Sequence, residues 1–231
     1  MTYEDAVSYL ETFVNHEHAL QPKAMRQMTL DRMRRLCQRL GDPQRSFRSV
    51  LVAGTNGKGS ICALLYSMLR ETPLRVGLYT SPHLEDLRER IRAWGPDRIF
   101  GERAHGDDWI APGAFSALVE QLQPLLEEMR RDGPDEVPTY FEILTAIAFL
   151  HFSQRRVEVA VLEVGLGGRL DATNVVQQAV SVIGPIGVDH VGLLGADPAL
   201  IAREKGGIIK PRQTVLTASQ SNVVEEVLRV I

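Results

Sequence analysis

The residues with the clearest chemical potential form a glycine-rich loop, Gly54-Thr55-Asn56-Gly57-Lys58-Gly59-Ser60. Backbone N–H groups in such a turn face one concave surface, and a following helix adds a field that favours anions. Lys58 would place a positive charge on the terminal phosphates. The spacing departs from the usual phosphate-loop pattern, because only Thr55 and Asn56 separate Gly54 from the Gly57-Lys58 pair. We interpret the loop as phosphate-binding; the alternative is an ordinary glycine-rich turn.

Three further polar residues follow predicted strands, at the sheet edge where parallel α/β proteins bind ligands. They are Ser81, Glu163 and His190. Glu163 ends an apolar strand, where a carboxylate can order magnesium beside a polyphosphate, whereas His190 is a less usual ligand for so hard a cation. Each residue has an alternative interpretation: a turn cap for Ser81, a solvated strand end for Glu163 and a structural histidine for His190.

The elements that would hold these loops alternate between strand and helix. Short apolar runs predict strands over 49–53, 75–80, 157–163, 179–184 and 213–217. Helical spacing and cap signals predict helices over 3–13, 30–40, 114–129, 139–152, from 197 to about 206, and over the last ten residues. In the helix after the glycine-rich loop, the apolar face would comprise Ile61, Leu64, Leu65, Met68 and Leu69. Residues 93–113 are interpreted as a surface loop or insertion. The alternation predicts an α/β fold with a mainly parallel sheet flanked by helices.

Composition excludes several classes of protein. The 231 residues are 44% hydrophobic and 24% charged, which is ordinary for a globular chain and argues against disorder or a fibrous coil. A net charge of -3 argues against a nucleic-acid binder. The two cysteines, Cys37 and Cys62, are too few for a disulfide framework or a cysteine-type zinc site. Neither a signal-peptide pattern nor a membrane-spanning apolar run occurs, so we expect a cytoplasmic protein without a membrane partner.

Several motifs make the sequence similar to the folylpolyglutamate synthase/dihydrofolate synthase family of the Mur-ligase superfamily. In the family's order they are VAGTNGKGS (52–60), YTSPHL (79–84), ERIR (89–92), TYFEILTAIAF (139–149), LEVGLGGRLDATN (162–174), DH (189–190) and AREKGGIIKP (202–211). The resemblance implies a P-loop NTPase-like fold, the central domain of Mur ligases. It also implies an ATP-dependent amide ligase, in which ATP phosphorylates a carboxylate of the folate or dihydropteroate substrate and the amino group of L-glutamate attacks the acyl phosphate.

The resemblance also assigns roles to individual residues. The segment from Gly54 to Ser60 would bind ATP, with Lys58, Lys205 and His190 acting in catalysis. Ser81, Glu163 and His190 resemble the family's magnesium ligands, and one or two Mg²⁺ ions and a monovalent cation are the expected metals.

Lys205 matches the lysine that the family carries as a carbamate, an anion that can hold a second Mg²⁺ ion. Without the resemblance, Lys205 would be interpreted as a surface helix residue. The pterin-binding positions of bifunctional members correspond to Thr139, Phe141, Asp171 and Ala172. Asp171 has an alternative interpretation as a cap of its own loop.

The sequence departs from the family pattern in places. Leu51 stands where the family often has histidine, and the 93–112 stretch is longer than the usual turn. Nothing corresponds to the family's C-terminal α/β domain, which closes over ATP. We therefore expect a monomeric ATPase domain with little turnover, composed of an N-terminal helical segment (1–48) and an ATP- and folate-binding domain (49–231). The alternatives are a Mur-type ligase for another acid, or a nucleotide-binding module without turnover.

Overall fold

The computed structural model describes residues 1–16, 29–95, 107–187 and 197–231. The helices in these ranges are α1 (Tyr3–Glu11), α2 (Leu30–Arg39), α3 (Lys58–Leu69), α4 (Pro112–Asp132), α5 (Tyr140–Gln154), α6 (Pro198–Gly206) and α7 (Asn222–Arg229). The strands are β1 (Arg48–Ala53), β2 (Val76–Tyr79), β3 (Ile91–Trp94), β4 (Val159–Glu163), β5 (Gln178–Ile183) and β6 (Thr214–Thr217). Among the described residues, no helix combines the length and the apolar character needed to cross a membrane.

The strands form one sheet in the order β3-β2-β4-β1-β5-β6. All neighbouring pairs are parallel except β2 with β3, which is antiparallel. The carboxyl ends of the parallel strands therefore meet at one edge, and the loops that follow β1, β2, β4 and β5 share that edge. The predicted α/β fold with a mainly parallel sheet is confirmed.

Helices cover both faces of the sheet because successive strand residues point to opposite sides. Leu51 and Ala53 belong to the larger core cluster, together with α5 and with Leu10 of α1 and Leu36 of α2. Val52 points the other way, into a smaller cluster with residues of α3. The helix α5 is buried almost all round, as its continuous apolar sequence predicts. A strand buried on both faces gives the loops at its end a fixed base.

The predicted apolar face of α3 is correct for Ile61, Leu65 and Leu69, which pack against the smaller cluster, and wrong for Leu64 and Met68. Leu64 and Met68 are 64% and 60% exposed, whereas Cys62 and Tyr66 are buried. The contact face therefore combines a buried thiol and a buried phenol with the aliphatic side chains beside them.

The interpretation of 93–113 as a loop or insertion is also wrong for its described ends. Ala93 and Trp94 belong to β3, and Ile110 is fully buried. Arg92 forms an isolated antiparallel bridge with Trp109. The strand has only four residues, with Arg92 among them, and the Gly, Pro and charged residues that follow it favoured the loop interpretation. Residues 96–106 of this stretch lie outside the described residues.

Candidate active site

The glycine-rich loop connects the end of β1 to the start of α3, as predicted. Gly57 is the N-cap of α3 and has a φ of 75°, a left-handed conformation that favours glycine. No side chain caps the helix there, so the first-turn N–H groups are left without a side-chain acceptor. Lys58 opens the helix and is half-buried. This arrangement suits an anion at the N-terminus of α3.

The loop after β5 is fastened to the glycine-rich loop. The Thr55 hydroxyl donates to the carbonyl oxygen of Gly187 and accepts the Gly187 N–H, both at 3.1 Å. A Cβ on Gly54 would lie only 3.1 Å from the Cα of Gly184, so the two backbones meet where a side chain would not fit. The two loops therefore form one surface. His190 follows in the second loop but lies outside the described residues.

The side chain of Lys205 reaches the same loop from α6. Its Nζ donates a 2.8 Å hydrogen bond to the carbonyl oxygen of Gly54, and the residue is only 3% exposed. The interpretation of Lys205 as a surface residue is wrong, because α6 packs with this side turned toward β1. The resemblance alone indicated a role for it.

A close backbone contact holds α6 in that position. A Cβ on Gly168 would lie 2.8 to 3.1 Å from the backbone of Glu204 and Lys205. The N–H of Arg169 donates to the Glu204 carbonyl oxygen at 2.9 Å. The loop after β4 and the last turn of α6 thus touch backbone to backbone.

Ser81 and Glu163 meet at the ends of β2 and β4. The Ser81 N–H donates to Oε2 of Glu163 at 3.1 Å, and Glu163 is 5% exposed. Burial raises the pKa of Glu163, although the Ser81 N–H and the positive charges of Lys58 and Arg90 act to lower it. The structure therefore brings Ser81, Glu163 and the Lys58 loop to one place.

The donor chemistry of this place fits a divalent cation. Ser81 offers a hydroxyl and Glu163 a buried carboxylate, and hard cations prefer oxygen. Gly59 leaves room beside the carboxylate, since a Cβ there would lie 3.7 Å from both oxygens. In the described part of the chain, no three His, Cys, Asp or Glu side chains cluster as a metal site.

Phe141 provides a partly exposed aromatic ring near the same edge. Its ring contacts Gly165 so closely that a Cβ there would lie 2.7 Å from Cζ. The ring centroid of buried Tyr79 is 6.0 Å away. Thr139 caps α5, because its hydroxyl accepts the Glu142 N–H at 3.3 Å and donates to Oε2 of Glu142 at 3.0 Å. The ring is thus available for contact, whereas the Thr139 hydroxyl is already bonded.

Asp171 is buried, at 1% exposure, and caps the turn that begins with Ala172. Its Oδ1 accepts the N–H and the hydroxyl of Thr173, and its Oδ2 accepts the N–H of Leu166. Burial nevertheless raises the pKa of Asp171. The geometry is that of the loop cap, and these bonds occupy the acceptor sites of the carboxylate.

Sequence reasoning noted the motif at 89–92 but assigned no role to Glu89 and did not predict the burial of Arg90. Arg90 is 2% exposed, although it lies in a short segment with three arginines. Its Nε donates to Nδ1 of His83 at 2.9 Å. The spacing from Asp86 to Glu89 is that of a capping box, which the structure contains, and this signal could have drawn attention to Glu89.

Asp108, in the described second part of the 93–113 stretch, has a structural role. Asp108 is buried and pairs with Arg70 at 3.2 Å, and the Arg70 guanidinium lies 4.1 Å from the ring centroid of Trp94. His105 lies outside the described residues. The described contacts of Asp108 thus join α3 to the sheet.

Together, the mainly parallel sheet and the glycine-rich loop at the start of α3 define an α/β domain with a loop suited to an anion at a helix N-terminus. No protein-family model matches the chain. The chain is 41% identical over 201 residues to the dihydrofolate synthase/folylpolyglutamate synthase of Bacillus subtilis, a match that covers 87% of this chain and 44% of that protein. It matches the folylpolyglutamate synthase of Thermotoga maritima with a TM-score of 0.81 and 34% identity, over 99% of this chain and 47% of that one.

A solved FPGS-AMPPCP-folate complex also matches, with a TM-score of 0.85 and 35% identity, over 100% of this chain and 51% of that one. The chain belongs to the folylpolyglutamate/dihydrofolate synthase family and has its Mur ligase-type α/β fold. It spans about half the length of the relatives and structures it matches.

Proposed function

We propose that this protein acts in an ATP-dependent ligase that joins L-glutamate to a pterin or folate carboxylate. The observation that carries the proposal is the convergence of the glycine-rich loop, Ser81 and Glu163 at one edge of the sheet. The family relationship supports the choice of substrates. Because the chain spans about half the length of its relatives, turnover and glutamate binding are proposed for the whole ligase.

The mechanism rests on neutralisation and positioning. A carboxylate oxygen is a very poor leaving group, so the acid must first become an acyl phosphate. The N–H groups at the start of α3 and the ammonium group of Lys58 would hold the phosphates of ATP and offset their charge. Ser81 and Glu163 would hold Mg²⁺, with His190 as a third ligand, and the ion would supply further charge neutralisation at the phosphates.

The remaining residues would complete the site. Lys205 fixes the first glycine of the loop, and as a carbamate it would offer oxygen donors for a second Mg²⁺ ion. Phe141 would stack on the pterin ring, with Ala172 close by. Thr139 and Asp171 would serve the substrate by ordering the helix and loop that carry these contacts, because their polar groups are already bonded within the chain.

Nucleotide binding by the 231-residue chain tests this function. AMPPCP is titrated by calorimetry with and without MgCl₂, for the wild type, Lys58→Met and a control, Lys210→Met. Lys210 carries the same charge as Lys58 but follows the end of α6, outside the glycine-rich loop. We expect Mg²⁺-dependent binding that Lys58→Met weakens at least about tenfold and Lys210→Met leaves unchanged. Absence of binding by the folded wild type would contradict the proposal.

The acid substrate is tested separately. Folate and dihydropteroate are titrated into the AMPPCP-bound wild type and into Phe141→Ala. Binding that Phe141→Ala weakens supports the pterin assignment. Nucleotide binding without any binding of either pterin would favour a ligase for another acid.

A further inference from the structure

The loop after β2 closes around a single buried carboxylate. Glu89 is 7% exposed, and its Oε1 accepts the N–H groups of Glu85 and Asp86 at 2.9 and 2.8 Å. Its Oε2 accepts the N–H of Leu84 at 2.9 Å. Although burial alone raises the pKa of a carboxyl, the three N–H donors and the charge of Arg92 hold the pKa of Glu89 below its ordinary value. Three consecutive backbone groups are thus fixed by one side chain.

The neighbouring residue holds the first half of the same loop. The N–H of Thr80 donates to the Arg90 carbonyl oxygen at 3.0 Å. The Arg90 Nε donates to Nδ1 of His83 at 2.9 Å. Ser81 lies between these two attachments, and its own N–H donates to Glu163 at 3.1 Å. The position of Ser81 beside Glu163 therefore depends on hydrogen bonds within its own loop.

We propose that Glu89 is a positioning residue for the metal site formed by Ser81 and Glu163, an inference that rests on the function proposed above. Among the described residues, the hydrogen bonds of the Glu89 carboxylate come from backbone N–H groups of its own loop, so we do not expect this carboxylate to bind the ion. A short loop without regular structure loses conformational entropy when it is ordered. Glu89 orders the loop before any ligand arrives, so that the Ser81 N–H already donates to the Glu163 carboxylate and Ser81 is held beside it.

Glu89→Gln separates positioning from a purely structural role. Glutamine keeps the size of the side chain but turns an amide NH₂ toward at least one N–H donor. At least one of the three backbone hydrogen bonds is therefore lost. The matched control is Glu85→Gln, which removes the same charge from an exposed residue of the same loop. If Glu89 had a purely structural role, Glu89→Gln would lower the unfolding midpoint of the chain. The effect of metal on nucleotide binding would then stay unchanged.

The experiment measures how much Mn²⁺, as a probe for the divalent site, increases the affinity of the chain for AMPPCP. Calorimetric titrations are run without metal and at several Mn²⁺ concentrations. For Glu89→Gln we expect an AMPPCP affinity equal to that of the wild type when no metal is present. The increase in affinity that Mn²⁺ causes should be about tenfold smaller than in the wild type. At high Mn²⁺ concentration the affinity of the variant should return to the wild-type value. Glu85→Gln should match the wild type. If Glu89→Gln does not fold, His83→Ala, which removes the acceptor of Arg90, is tested for a loss in the same direction.

The outcomes distinguish the two proposals. A wild type with no Mn²⁺-dependent increase overturns the proposed metal site and, with it, this inference. A wild-type increase that Glu89→Gln or its substitute retains in full overturns the positioning role alone. A smaller increase in the variant, with the control unchanged, supports it.

Discussion

The Nζ of Lys205 donates a 2.8 Å hydrogen bond to the main-chain carbonyl oxygen of Gly54, across 151 residues of sequence. This bond joins α6 to the first residue of the glycine-rich loop. Burial of an ammonium group is costly unless it is hydrogen-bonded, and Lys205 is almost completely buried. The carbonyl oxygen of Gly54 in turn has a charged donor. The two residues therefore depend on each other, and the shape of the loop depends on both.

Lys205→Met is expected to weaken AMPPCP binding about tenfold. Methionine keeps most of the side-chain volume but leaves the Gly54 carbonyl oxygen without this donor, and a hydrogen bond to a charged group contributes about 1.5 to 3 kcal/mol. Calorimetry measures the affinity, with Lys210→Met as the charge-matched control. Equal affinities of Lys205→Met and the wild type would show that the hydrogen bond from Lys205 to Gly54 does not determine the conformation of the loop.

Gly168→Ala is expected to destabilise the fold by about 1 to 3 kcal/mol, as overpacking commonly does. The new Cβ would lie 2.8 to 3.1 Å from backbone atoms of Glu204 and Lys205. Backbone atoms cannot move away by a rotamer change, as the end of a flexible side chain can. The control is Gly113→Ala in α4, where no atom lies within 4 Å of an added Cβ. Urea unfolding compares the two variants, and similar free energies of unfolding would refute the close contact.

Gly165→Ala is expected to impair pterin binding and to leave AMPPCP affinity within about twofold of the wild type. The added Cβ would lie 2.7 Å from Cζ of Phe141, so the ring must rotate away from its present position. A displaced ring cannot stack on a ligand in the same place. Folate titrations into the AMPPCP-bound chain measure the effect. Unchanged folate affinity would remove Phe141 from the proposed binding surface.

Signals confined to one turn of chain made several elements predictable from the sequence. Asp197 and Pro198 predicted the start of α6, and the Asp197 carboxylate does accept the N–H of Ala199. The helix predicted over 30–40 likewise corresponds to α2, which runs from Leu30 to Arg39. These effects act between residues a few positions apart, so the sequence contains all the participants.

Contacts between distant segments could not be predicted in this way. Nothing in α6 shows that the carbonyl oxygen of Gly54 lies opposite Lys205. The burial of Arg90 depends on the loop that His83 belongs to, and β3 exists because β2 offers it an edge. At the candidate site, the residue types of Ser81 and Glu163 suggested their chemistry, but only the sheet order makes their loops neighbours.

His151 gives the fold a pH-dependent stability unrelated to the candidate site. It lies in the last turn of α5 and is 7% exposed. Burial, together with the positive charge of Arg155, lowers its pKa from 6.5 to about 4. The unfolded chain therefore binds a proton near pH 6.5, whereas the folded chain binds it only near pH 4. Stability that is fully present above pH 6.5 is lost as the pH falls toward 4.

Between pH 7 and pH 5, His151→Gln is expected to lose about 2 kcal/mol less stability than the wild type. Glutamine takes up no proton in either the folded or the unfolded state. Arg155→Gln should have a smaller effect in the same direction, since it removes the second cause of the lowered pKa and leaves burial in place. Urea unfolding at the two pH values measures the difference for each protein. If His151→Gln loses as much stability as the wild type, carboxylates rather than this histidine govern the acid sensitivity of the fold.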